Sequence, residues 1–337
     1  MKILSIFGKY LDQPKLVEKF SHAVPAILIA GGSLYALNNV LKAPESQRGK
    51  QFIKDATVLT GTISAALFAP KLAKKIIKNK HHAHYHGHNH DCHHHIHDGA
   101  ELIDDFIQNN KITQKTANIL NKAKEKVLNF SEVKIIFEEL NKTKNGKEFL
   151  DEFIPTPENI DSKHIFSEIG KLSIIGIMPV LGGITGGIIG DKLTEKNWKK
   201  KIPDKIKEGS YQYLANIFLC NIGAGAALWA MEKANIQSKA ARAIAMIGGI
   251  LLTGLVLGSV MANYIGQKVI DPMLGHKNKK GGLYSERKPE VIDVSLHVDD
   301  VATVAVLSGL KWIEPALPIL YSISGYRAGI GYRNGEK

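Results

Sequence analysis

The chain has 337 residues with a formal charge of +12, and its 44 basic residues are 39 lysines and 5 arginines. Base readout and bidentate phosphate clamps favour arginine, so this lysine-dominated balance argues against nucleic acid as the partner. With only two cysteines, Cys92 and Cys220, in unlike surroundings, a disulfide scaffold is also excluded.

The first twenty residues have no long apolar core and no small-residue cleavage site, so they do not read as a cleaved secretory signal. Ile3, Leu4, Ile6, Phe7, Tyr10 and Leu11 fall on one face of a helix with lysines opposite, a pattern that predicts a helix lying along a membrane surface. Charge-free runs follow. Residues 23–41, 211–231 and 243–267 each reach the roughly 17–25 apolar residues that cross a bilayer. Three weaker runs are 56–70, which is short, 172–190, which holds Pro179 and six glycines, and 301–321, broken by Lys311, Glu314 and Pro315. The expected fold class is all-α: a multi-pass helical membrane protein with four to six membrane-embedded helices and a small soluble helical insert.

Four parts are expected. Residues 1–80 form the amphipathic helix and a membrane hairpin; 81–98 are a flexible His-rich tract; 99–169 are the insert; 170–337 are a Gly-rich bundle. In the insert, Ser131 is expected to cap a helix over "EVKIIFEEL", "KNGK" at 144–147 to form a turn, and "IPTPEN" at 154–159 to end the unit. Small residues recur every four positions at Gly182, Gly186 and Gly190, at Gly254, Gly258, Ala262 and Gly266, and at Gly61, Ala65 and Ala69. That spacing lines one helix face and permits close backbone approach, within the chain or in a homo-oligomer.

Lysines flanking the runs place the N-terminus, the tract and the insert in the cytoplasm. The loop around 191–210 carries seven lysines and should be cytoplasmic too, as should 268–290. All of these agree only if 172–190 enters and leaves on the same side, so a re-entrant segment is expected there. The high Lys, Ile and Asn content suggests a bacterial cytoplasmic membrane.

Ten of the fourteen histidines lie between 81 and 98. His81, His82, His84, His86, His88, His90, Cys92, His93, His94, His95 and His97 are the candidate metal ligands. Imidazole suits Zn²⁺, Ni²⁺, Cu²⁺ and Co²⁺, and Cys92 adds a thiolate. Histidines two apart on a flexible chain can converge on one ion in many overlapping sets, so low selectivity is expected, with Zn²⁺ or Ni²⁺ the foremost cofactors and no organic cofactor. Such a loop resembles those of cation diffusion facilitators and ZIP-type zinc transporters; the likeness covers the loop alone. Those families imply His and Asp ligands within their spanning helices, whereas the runs 23–41, 56–70, 172–190, 211–231 and 243–267 have none. Transport therefore ranks below capture or buffering of metal, with hand-over to a protein partner as its extension. The other class is a structural or assembly protein of the membrane with the tract as spacer. No nucleophile elbow, phosphate loop or HExxH occurs, so an enzyme is not expected.

Overall fold

The structure, a computed structural model, describes residues 3–81, 95–153, 162–236, 239–273, 287, 288, 290 and 315–331. Among these every regular element is a helix. In chain order they are α1 (Ile3–Leu11), α2 (Pro14–Lys42), α3 (Arg48–His81), α4 (His95–Asn109), α5 (Gln114–Ala123), α6 (Phe130–Leu140), α7 (Lys144–Phe153) and α8 (Ser162–Thr194). There follow α9 (Ile202–Tyr213), α10 (Leu219–Lys233), α11 (Lys239–Leu251), α12 (Ser259–Ile265), α13 (Asp271–Met273) and α14 (Leu317–Ile330). Two compact units form, one from residues 1–23, 82–159 and 308–315, the other from 24–81, 160–307 and 316–337.

The first unit is water-soluble in its construction. Ile103, Phe106, Ile119, Leu120, Val133, Phe137, Leu140 and Phe149 bury their side chains together, and polar residues cover the outside. Ile6 joins this core at 3% exposure while Phe7 stays 52% exposed, so α1 packs one side of its greasy face against the core. That face suits either solvent, and a protein core has taken the Ile6 side. Gln13 fixes the arrangement: its amide oxygen accepts from the Leu128 N–H (2.7 Å) and its amide nitrogen donates to the Leu128 carbonyl (3.1 Å).

Two local expectations are corrected here. The cap of α6 is Asn129, whose side chain accepts from the Glu132 N–H while Glu132 reaches back to the Asn129 N–H. That reciprocal box satisfies two orphan donors, whereas Ser131 lies already inside the helix. Residues 144–147 are the first turn of α7, started by the Thr143 hydroxyl accepting from the Gly146 N–H (3.1 Å). A side chain at 146 would meet the Leu140 carbonyl at 2.2 Å, so glycine is required by proximity. The 154–159 segment lies outside the described residues.

The second unit is a membrane protein in its construction. Among the described residues five helical stretches are long and apolar enough to cross a bilayer: Pro14–Lys42, Glu45–Ala73, Ile169–Thr194, Trp198–Lys233 and Ile244–Met273. Large apolar side chains face outward, among them Ile29, Leu34, Ile244 and Leu252, as lipid contact allows. The run 172–190 is not re-entrant. It lies within α8, one continuous helix of 33 residues, about 50 Å long against ~30 Å of hydrocarbon. Its six glycines would weaken a helix in water, but in lipid each unpaired backbone group is so costly that the helix holds.

Those glycines are packing surfaces. Gly182 and Gly186 abut Gly61 and Thr57 of α3, where an added Cβ would sit 2.3 Å and 2.2 Å from a facing carbonyl oxygen. Gly183 and Gly187 turn a second face to Gly325 and Gly329 of α14, even closer at 1.8 Å and 1.9 Å. The same close approach pairs Gly223 with Gly249 across α10 and α11, and Gly258 with Ala215. In lipid, where no hydrophobic force drives helices together, such approach supplies the dispersion contact. Helix directions follow from these pairs. As numbers rise along α8 they fall along α3 and α9 and rise along α14. The bundle therefore has a tract end, holding His81, Ser162 and Lys233, and a charged end, holding Lys54, Asp191, Lys205 and Arg327.

Candidate functional site

Metal ligands come first because the sequence singles them out. His82 through His94 lie outside the described residues, and so does Cys92. His81 is the last residue of α3, His95 opens α4, and His97 lies in its first turn. Among the described residues no group of three or more His, Cys, Asp or Glu side chains is arranged to hold a metal ion.

What the apolar runs concealed is a buried ionic system at the charged end. Each helix extends past its charge-free run, and the extensions carry the charges inward. Asp55 precedes the run 56–70, Asp191 follows 172–190, and Lys205, Lys207 and Glu208 precede 211–231; all five are buried. The runs themselves hold no acid, as the sequence shows; the buried acids stand just beyond their ends.

Three linked groups make up the system. In the first, the Lys205 ammonium pairs with Asp191 (3.0 Å) and donates to the Gly329 carbonyl. Lys54 reaches the other Asp191 oxygen (3.6 Å) and also Glu195, which holds Lys201 at 2.7 Å. Burial pushes the Glu195 carboxyl up, but hydrogen bonds from Lys201 and Lys54 outweigh it and hold the group below its ordinary range.

In the second, Glu208 and Arg287 are fully buried and paired at 3.2 Å. Arg327 approaches the other Glu208 oxygen (3.8 Å) and reaches Glu290 (3.3 Å). The Arg287 guanidinium lies 4.5 Å from the Tyr211 ring centre, a cation–π geometry. Gln212 donates to Glu208 (2.8 Å) and Asn216 donates to Gln212 (3.0 Å). Steps of four keep these groups on one face of the helix, so a polar stripe runs inward. Lys207 pairs separately with Asp271 (2.5 Å). Without partners any of these charges would be costly to bury.

In the third, Asp55 accepts from the Tyr326 hydroxyl (2.6 Å) and from the Gln51 amide (3.0 Å). Asn39 donates to the same Tyr326 oxygen (2.9 Å), which directs the phenol proton to Asp55. Between this carboxyl and the Asp191 chain lies a cavity of about 150 Å³, walled by Gln51, Lys54, Asp55, Asp191, Lys201 and Lys205.

No family model, curated protein or solved structure matches this chain. The sequence did carry a signal for the ionic system. Lys205, Glu208, Gln212 and Asn216 stand at steps of three and four, one face of a helix that leads straight into a lipid-length run.

Proposed function

We propose that this protein captures or buffers transition-metal ions, Zn²⁺ or Ni²⁺ foremost, on the His-rich tract 81–98 beside its membrane bundle. The observation that carries the reading is density: ten imidazoles and one thiol in eighteen residues. A spacer needs only soluble, flexible residues such as Gly, Ser or Lys. Support also comes from attachment, since His81 and His95 belong to helices on either side and tether the tract at both ends. The same reading puts the tract in the cytoplasm of a bacterium, next to Lys71, Lys74, Lys75, Lys78 and Lys80.

Capture ranks above transport for a physical reason. Three of the four buried acids among the described residues, Asp191, Glu208 and Asp271, are each matched by lysine or arginine, and the fourth, Asp55, is a single carboxylate, too little to replace the water of a divalent cation. The test deletes residues 81–97 in the native host and follows growth and cell metal content across zinc, nickel and copper levels. Altered metal content or tolerance is expected. A strain indistinguishable from its parent under both starvation and excess would remove the metal role and leave the structural reading.

A further inference from the structure

The charges around the cavity at the charged end sum to zero but are not all paired. Lys205, Asp191, Lys54 and Lys201 line it and, with Glu195 just outside the lining, form a chain of three ammonium groups against two carboxylates. That chain carries one positive charge in surplus. Asp55 also lines the cavity, fully buried, and among the described residues no lysine or arginine pairs with it. Its two oxygens are met only by a phenol and an amide. Asp191, Glu208 and Asp271 each hold a cation, so Asp55 is the exception among the buried carboxylates of the described residues.

Size and charge together define what would fit. A cavity of about 150 Å³ equals the one that admits benzene in a protein core, a ligand of about six non-hydrogen atoms. A simple cation would satisfy Asp55 but face the surplus ammonium; a simple anion would do the reverse. A small molecule with both charges and no net charge satisfies both Asp55 and the surplus ammonium. We propose that this cavity binds a small zwitterion of the α-amino-acid type, with its ammonium on Asp55 and its carboxylate on Lys205 and Lys201. Val58, Ile330, Gly187 and Gly329 form the apolar part of the lining and leave room for a side chain no larger than a methyl or hydroxymethyl group. Entry is from the charged end, where the Lys201 side chain is 48% exposed. Asp55 is pre-positioned from three helices, by Gln51 beside it on α3, Tyr326 on α14 and, through Tyr326, Asn39 on α2. This binding site is independent of the His tract, which attaches at the opposite end of α3.

The experiment uses the full-length protein in detergent micelles, read by thermal unfolding and by calorimetric titration. Alanine, glycine and serine are the probes, with methylammonium chloride and sodium acetate as the two halves and phenylalanine as the oversized control, all at equal ionic strength. A ligand that binds only the folded state raises its midpoint. The three small zwitterions should give a saturable rise at millimolar concentration, and the halves and phenylalanine none. Asp55→Asn keeps an oxygen for Tyr326 and removes the charge; it should bind alanine about ten- to hundredfold more weakly. Lys201→Met, at the half-exposed mouth, should retain the fold and weaken alanine about tenfold. A response to acetate alone or to methylammonium alone as large as that to alanine would overturn the proposal. So would a wild type indifferent to all three zwitterions, or an Asp55→Asn variant that responds as the wild type does.

Discussion

Substituting Arg287 by methionine should destabilise the bundle far more than substituting Arg287 and Glu208 together. Both side chains are at 0% exposure and pair at 3.2 Å. Arg287→Met leaves Glu208 with Arg327 at 3.8 Å and the Gln212 amide at 2.8 Å. Breaking a buried pair from one side costs about 3–5 kcal/mol, because the remaining charge has lost its counter-ion. Arg327 offsets part of that, while the lost stacking on Tyr211 adds about 1–2 kcal/mol. An estimate of about 4 kcal/mol corresponds to a fall of roughly 6 °C in midpoint for a chain of this length. Glu208→Gln/Arg287→Met removes both charges and keeps similar volumes, so its net cost should be about 1 kcal/mol. Glu208→Gln alone takes the carboxylate charge away from Arg287 and belongs with the large effects. The assay is thermal unfolding of the four proteins in one detergent, arranged as a double-mutant cycle. A double variant as damaged as the sum of the two singles would refute the buried pair.

Gly187→Leu should drive α8 and α14 apart, since its Cβ would lie 1.9 Å from the Gly329 carbonyl oxygen, whereas Gly31→Ala, with nothing within 4 Å, should be neutral; detergent-extracted yield and chromatographic dispersity compare them. Ile6→Ala should cost about 2–4 kcal/mol if α1 packs in the soluble core, and hydrogen exchange across residues 3–13 of the intact chain should speed up. Glu139 is pushed up by burial but held below 4.5 overall by the Thr116 hydroxyl and by the Thr113 amide and hydroxyl. A depressed carboxyl contributes stability that is full above its unfolded-state value and lost as pH falls through the folded one. Amide protection in α5 should therefore decline as pH drops below about 4.5, and Glu139→Gln should be weaker at neutral pH with a flatter acid limb.

Long charge-free runs made the bundle legible, because lipid imposes a length and a composition that few soluble helices share. The ionic system was not legible from the same runs, and the cause is specific. A run ends by definition at its first charged residue, so Asp55 and Asp191 were cut off by a single position although their helices continue. Glycine content pointed to an interrupted segment at 172–190, yet those glycines serve two packing faces at once, toward Gly61 and toward Gly325. Only the first face followed the four-residue spacing noted in the sequence. The α1 stripe was read correctly as amphipathic, but periodicity does not say whether lipid or protein covers the greasy side. Asn129 and Glu132 stood three apart as a capping box requires; Ser131 drew attention because it was nearer to the hydrophobic pattern.

If α8 crosses the bilayer, it separates a tract end from a charged end. Single cysteines placed at Asn145 and Asn197, in a Cys92→Ser background that leaves only the buried Cys220, can be labelled in intact cells with a membrane-impermeant maleimide before and after permeabilisation. Opposite accessibility is predicted, one site reacting in intact cells and the other only after permeabilisation. Equal accessibility at both sites would return 172–190 to a segment that enters and leaves on one side, and would contradict the bundle described here.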